Sequence, residues 1–88
     1  MNQKNQYNIT IIGLGYGGLP LAIEFGKIFH TIGFDKKKKR IDDLQKGIDS
    51  NLEFSDEDIR SAKHLSFTSN KLDLNKSNIY IITVPTQI

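Results

Sequence analysis

The sequence contains no cysteine. That excludes disulfides, a thiolate metal site and a cysteine nucleophile within these residues. It also lacks any apolar run close to the ~20 residues of a membrane-spanning helix. Residues 1–7 are polar, unlike the start of a signal peptide. We therefore expect a cytoplasmic protein with no membrane partner. A large excess of one charge is missing too. Twelve Lys and Arg face ten Asp and Glu, which gives no general reason to expect nucleic acid as a partner. Internal repeats and low-complexity linkers are lacking. Its two histidines, His30 and His64, have no second histidine or carboxylate at metal-ligand spacing, so no metal site is expected. Both are placed at helix ends, where an imidazole commonly faces the carboxyl-terminal dipole.

The 88 residues amount to one small domain, and a chain this short buries only about 60–65% of its unfolded surface. Its most informative stretch is NITIIGLGYGGLP, residues 8–20. An apolar β-type run (Ile9, Ile11, Ile12) stops at Gly13. Gly13, Gly15 and Gly18 then follow at G-x-G-x-x-G spacing before an amphipathic helix. That order is what a dinucleotide pyrophosphate needs. The first glycine permits the tight turn, the second lets backbone approach the phosphates, and the third lets helix and sheet lie close. Free N–H groups and the positive end of the helix dipole then face the anion.

The rest of the pattern continues the same plan. The first helix carries Leu21, Ala22, Phe25, Ile28 and Phe29 as its apolar face, with Pro20 in its first turn, where a lost N–H does no harm. Residues 31–34 read as strand two, ending at Asp35. A second helix over about 37–46 points Ile41 and Leu44 inward and stops near Gly47. Ser55-Asp56-Glu57-Asp58 reads as a capping box that starts a short helix to about Lys63. Residues 65–68 read as strand three. IYIITV (79–84) is nearly all apolar and β-branched, hence a strand buried on both faces of a parallel sheet and ended by Pro85. Right-handed crossovers give the spatial order 3-2-1-4. The fold class is α/β, a partial Rossmann (doubly wound parallel) sheet of about four strands with helices on both faces. A polar extension over 1–7 precedes residues 8–88. A complete dinucleotide domain has about six strands, so we expect a piece of a larger enzyme. It would stop before the second half, with its fourth strand an exposed, association-prone edge.

Asp35 is the second strong point. It lies roughly 20 residues past Gly13, where a carboxylate accepts both hydroxyls of the adenosine ribose and repels a 2′-phosphate, favouring NAD. Lys36 to Arg40 form the most basic stretch, without the aromatic interleaving of a nucleic-acid site. Its lysines read as the solvated start of helix two. Arg40, one turn past Asp35, is placed over the adenine or adenosine ribose. The same basic cluster weakens the argument against NADP. Val84-Pro85-Thr86 follows strand four at the switch point of the sheet, where ligands bind. Thr86 there can offer its hydroxyl or N–H to the cofactor, or be a plain loop residue. Tyr7, Tyr16 and Tyr80 read as packing residues, with the Tyr16 backbone inside the glycine loop.

GLGYGGLPLA (13–22), FGK (25–27), TIGFD (31–35), KKRI (38–41) and IYIITVPT (79–86) together resemble the amino-terminal segment of the UDP-glucose/GDP-mannose dehydrogenase family. EFGKIFHTIGFD, Gly47-Ile48-Asp49 and KHLSFT (63–68) look most like the branch that oxidises UDP-N-acetylhexosamines for bacterial surface polysaccharides. The resemblance implies oxidation of a sugar C6 hydroxyl to a carboxylate with two NAD⁺, through a cysteine thiohemiacetal and thioester. It implies that Gly13, Leu14, Gly15, Tyr16, Gly17 and Gly18 bind the pyrophosphate and that Asp35 binds the adenosine ribose. Arg40 would contact the adenosine side, and Val84 and Thr86 would lie along the cofactor. The nucleophile, the acid–base groups and most UDP-sugar contacts would fall beyond residue 88. None of these residues is then catalytic, the 88 residues alone are inactive, and the full-length enzyme is a homo-oligomer. Gly17 stands where the family usually has valine, and Gln87 where it usually has a second proline. The extra glycine adds an ordering cost of about 0.5–1 kcal/mol. Two alternatives remain: a truncated, non-catalytic interaction fragment, or another Rossmann oxidoreductase such as a hydroxyacid dehydrogenase.

Overall fold

β-branched and apolar residues at positions 8–12 form β1 (Asn8–Ile12), the centre of a four-stranded parallel sheet. The computed structural model describes residues 7–83. After β1 come α1 (Gly18–Gly26), β2 (His30–Phe34), α2 (Lys38–Gln45), α3 (Asp56–Arg60), β3 (Leu65–Thr68), a 3₁₀ helix (Lys71–Lys76) and β4 (Ile79–Ile82). The strand order is β3-β2-β1-β4, the expected 3-2-1-4. β1 runs in register with β2 from Asn8 opposite His30 to Ile12 opposite Phe34, and with β4 from Ile9 opposite Ile79 to Ile12 opposite Ile82. The carboxyl ends of the three strands thus meet at one level, where β1 passes into the glycine loop.

Ile9 and Ile11 share one face of β1 and join Leu14, Leu19, Ala22, Ile23, Ile41, Leu44, Ile59 and Ala62 in the core. Burying each such side chain is worth about 1.5–3 kcal/mol, the main favourable term for so short a chain. Two threonines, Thr10 and Thr31, are fully buried within the sheet. Their hydroxyls are satisfied: Thr31 donates to the Phe29 carbonyl at 2.8 Å, and Thr10 meets the Ser77 hydroxyl at 2.5 Å.

Several expectations change on contact with the tertiary structure. The inward face of α1 is Leu19, Ala22, Ile23 and Gly26, one step round from the face read off the sequence. Leu21 and Ile28 are exposed, while Phe25 and Phe29 pack only partly against the core. Gly26 explains the rotation. A Cβ there would fall 2.6 Å from the Leu65 Cβ, so the absent side chain lets the helix end settle onto β3. His30 does not end a helix but opens β2, with its Nδ1 3.3 Å from the Asn8 side-chain oxygen. The capping box is present in full, but α3 ends at Arg60 instead of Lys63. The 3₁₀ helix has no counterpart among the expectations. It starts where the Asn70 side chain accepts from the Leu72 N–H.

β4 is the clearest correction. It pairs along β1 as expected, yet Ile79, Tyr80 and Ile82 are exposed, Ile82 at 70%. Apolar composition marks a segment that needs cover on both faces; it does not supply that cover. Tyr80 is exposed as well, and its hydroxyl shares one proton between the Leu74 and Ser77 carbonyls. Tyr16 is likewise exposed, at 67%. Tyr7 does pack, edge-on to Phe29 with ring centroids 5.7 Å apart. Val84, Pro85, Thr86 and Gln87 lie outside the described residues. None of the helices among the described residues is long and apolar enough to cross a membrane.

Candidate functional site

Where β1 ends, the backbone must turn at once, and it does so through a residue of positive φ: Gly13, at +99°. The four glycines of this loop then divide by what stands around them. A Cβ on Gly13 would meet the Thr83 carbonyl oxygen at 2.5 Å, and one on Gly18 would meet the Gly13 carbonyl oxygen at 1.6 Å. Both are required by the chain itself. Among the described residues, a Cβ on Gly15 or Gly17 would meet nothing within 4 Å. Those two leave an open shelf of backbone in front of α1. The helix begins without a side-chain cap, and its first turn holds no acidic residue. The Leu19 N–H donates to the Gly15 carbonyl at 3.1 Å and Pro20 has no N–H, so the Gly18 N–H and the helix dipole are what the start of α1 offers an outside anion.

Leu14 is the pivot of the site. Its side chain is fully buried, seated against Gly33, where a Cβ would come within 3.2 Å of both Leu14 methyls. Its backbone is gripped at both polar atoms. The Leu14 N–H donates to Asp35 Oδ2 at 3.0 Å, and the Leu14 carbonyl accepts from Arg40 Nε and Nη2 at 2.9 and 2.7 Å. The other Asp35 oxygen accepts from the Lys37 N–H at 3.0 Å. Each carboxylate oxygen keeps a free lone pair, and Asp35 has no ion-pair partner among the described residues. So the carboxylate is oriented by the backbone but its charge is unspent.

Arg40 is held in turn. Its Nη1 donates to Asp49 Oδ1 at 2.7 Å, and the two side chains are only 9% and 1% exposed. Asp49 also accepts from the N–H groups of Asn51, Glu53 and Phe54 at 3.0–3.1 Å. Burial alone would push its carboxyl up. The Arg40 hydrogen bond and the Asn51 and Glu53 N–H groups outweigh this and hold it below the usual carboxylate range. Leu14, Gly15, Asp35, Lys37, Arg40, Ser50 and their neighbours line a cleft of about 370 Å³ at the carboxyl ends of β1 and β2. Across the loop, the Thr83 hydroxyl donates to the Gly13 carbonyl at 2.7 Å, just past the end of β4.

The structure thus brings Gly13, Leu14, Gly15, Tyr16, Gly17, Gly18, Asp35 and Arg40 to one mouth, whereas Val84 and Thr86 lie outside the described residues. The lysines at 37–39 behave as the solvated start of α2, with Lys38 and Lys39 paired to Asp42 and Asp43. Two contributors escaped the sequence reading. Thr83 carries no local signal, since its role depends on β4 lying beside β1. Asp49 carries a weak one: an aspartate two residues after a helix-ending glycine commonly organises a turn. The constellation offers backbone donors for an anion and a carboxylate for a diol. Both are means of binding.

The chain is similar to several known proteins. Residues 7–88 match the model of the UDP-glucose/GDP-mannose dehydrogenase family, NAD binding domain. The chain is 54% identical over 84 residues to a UDP-N-acetyl-D-glucosamine 6-dehydrogenase of Salmonella typhi, covering 96% of this chain and 20% of that protein. It is 51% identical over 80 residues to the Pseudomonas aeruginosa enzyme of the same name, covering 91% and 19%. Among solved structures, the UDP-N-acetyl-mannosamine dehydrogenase of Pyrococcus horikoshii superposes with a TM-score of 0.81 at 32% identity, over 88% of this chain and 20% of that one. The chain therefore spans about a fifth of the length of these relatives.

Proposed function

The chain belongs to the UDP-glucose/GDP-mannose dehydrogenase family, within its NAD-binding domain, and on that premise we propose that it is the cofactor-binding start of a nucleotide-sugar 6-dehydrogenase. Another type of Rossmann oxidoreductase is thereby set aside. The observation that carries the proposal is the division of the glycines. Gly13 and Gly18 are demanded by the fold, but no described residue demands the bare backbone at Gly15. A diphosphate lying on that shelf supplies the reason.

The residues fit NAD. The N–H groups of residues 15–18 and the uncapped start of α1 would hold the pyrophosphate. The two free lone pairs of Asp35 would accept the adenosine ribose hydroxyls, and its unpaired charge disfavours a 2′-phosphate. Bound there, NAD⁺ supplies a hydride acceptor. Residues 13–18 and Asp35 bind and orient; they move no proton. In this reading the C6 hydroxyl of a UDP-sugar is oxidised to a carboxylate. Two NAD⁺ are reduced and one water is consumed for each sugar. The substrate is a UDP-N-acetylhexosamine or UDP-glucose, and the product feeds surface polysaccharide. The substrate is bound mainly outside the 88 residues, in a cytoplasmic homo-oligomer, and the 88 residues alone turn over nothing.

The test is an assay of the complete polypeptide in which these residues occur. With NAD⁺ and UDP-N-acetylglucosamine, we expect two NADH per sugar oxidised and an acidic product. No NADH with that sugar, with UDP-N-acetylmannosamine or with UDP-glucose would overturn the proposal.

A further inference from the structure

The Arg40–Asp49 pair is larger than the ribose site requires. Three of the five guanidinium N–H donors are already committed: two to the Leu14 carbonyl and one to Asp49, with Ser50 Oγ a further 3.3 Å from Nη1. The other end of Asp49 gathers three backbone N–H groups of the turn after α2. The pair thus ties that turn to the glycine loop, through the same residue that orients Asp35. A buried ion pair of this kind adds little net stability over apolar packing. Its geometry points to another use. Arg40 borders the cleft beside Asp35, and an arginine beside the ribose is the group that takes up a 2′-phosphate in NADP-binding relatives of this fold. Here the guanidinium is turned onto the loop and neutralised from behind.

We propose that Asp49, acting through Arg40, is a positioning residue for coenzyme choice: it holds the guanidinium on the Leu14 carbonyl and denies its charge to a 2′-phosphate. This rests on the NAD-binding reading above. Asp35 excludes the phosphate by repulsion, and Asp49 excludes it by removing the cation that would compensate. The Arg40 hydrogen bond and the N–H groups on Asp49 favour its ionised form, which keeps its charge in place at neutral pH.

The experiment is titration calorimetry of NAD⁺ and NADP⁺ against the complete polypeptide and its Asp49→Asn variant. We expect NAD⁺ to bind about tenfold more weakly to the variant and the NADP⁺-to-NAD⁺ affinity ratio to rise about tenfold, each a change of one decade. A purely structural role would weaken both coenzymes by the same factor, and that result, or no change in either, overturns the inference. Asp49→Asn combined with Arg40→Met removes the cation, so the ratio should return to its starting value; a persisting shift overturns the route through Arg40. Should Asp49→Asn fail to fold, Asp49→Ser decides. Its hydroxyl still accepts from the N–H groups of the turn but carries no charge to hold the guanidinium. The NADP⁺-to-NAD⁺ ratio should then rise as for Asp49→Asn, and an equal loss for both coenzymes, or no change, overturns the inference. If the unsubstituted protein binds neither coenzyme, the NAD-binding reading itself falls, a result distinct from any of these.

Discussion

The glycine loop is held from two sides, and the two sides are built differently. On the β2 side, Leu14 is gripped by a carboxylate at its N–H and a forked guanidinium at its carbonyl, with a buried aspartate behind. On the β4 side, one hydroxyl, that of Thr83, reaches the Gly13 carbonyl from the end of a strand whose side chains are largely exposed. Both sides make hydrogen bonds of similar length. They differ in what removal leaves behind. Losing a neutral hydroxyl leaves one carbonyl to be satisfied by water, whereas losing a buried ion leaves its partner's charge uncompensated. The more strongly held side is the one where we propose that the ribose binds, and recognition there needs fixed positions.

Breaking the β2 side should have the largest effect. Arg40→Met strands Asp49 in the interior, and we expect a loss of about 3–5 kcal/mol in urea unfolding. Next comes Gly18→Ala, which jams the loop from within, because its Cβ would sit 1.6 Å from the Gly13 carbonyl oxygen. Backbone must move, at a cost of about 3 kcal/mol. Gly15→Ala sharpens the contrast, since a Cβ there meets no atom of the described residues within 4 Å. Stability should hold or rise by up to about 1 kcal/mol, while NAD⁺ binding, followed by calorimetry, falls at least about tenfold. Equal losses of stability at Gly15 and Gly18 would mean that both glycines serve the fold. Thr83→Val breaks the β4 side and should cost only about 1 kcal/mol. A loss as large as that of Arg40→Met would erase the difference between the sides.

The smallest effect near neutral pH concerns acid. The Asp49 carboxyl is depressed in the folded state, so below the unfolded value of about 3.9 the unfolded chain binds the extra proton first. The stability contributed by Asp49 is therefore complete above about pH 4 and drains away as pH falls through the folded value. Asp49→Asn should remove that part of the acid sensitivity. Acid titration of unfolding checks it, and an identical pH dependence in the variant would place the acid-sensitive group elsewhere. Asp58 and Asp73 are depressed as well, by the Ser55 N–H and the Thr68 hydroxyl respectively, so some sensitivity should remain.

Much of this molecule could be read before its structure. β1 was legible to the residue, because a β-branched run ending in glycine allows few alternatives. The capping box at Ser55 and the left-handed Gly47, at φ +81°, were legible for the same reason: each is a local device with a local cause. The glycine spacing was legible because a dinucleotide imposes its own dimensions on the chain, and the place of Asp35 just past β2 because strand two visibly ends there. The errors share a different cause. The face of α1, the exposure of β4 and the place of His30 depend on which surfaces come to lie against one another. Gly26 sets the first by its closeness to Leu65, and no pattern within the helix announces it.

Arg40 shows the boundary most plainly. Its charge and its distance in sequence from Asp35 are properties of the sequence, and they predict that the two lie close together. Whether that charge faces a ligand or is spent inside the protein is decided by Asp49, which reaches it only after the chain has turned beyond α2. The sequence by itself determined the strand order, the glycine loop and the family, because backbone sterics, crossover handedness and a fixed motif act over short spans. Tertiary structure alone decided which glycines are open, which arginine donors are free and which strand is covered, because those depend on what is packed against them.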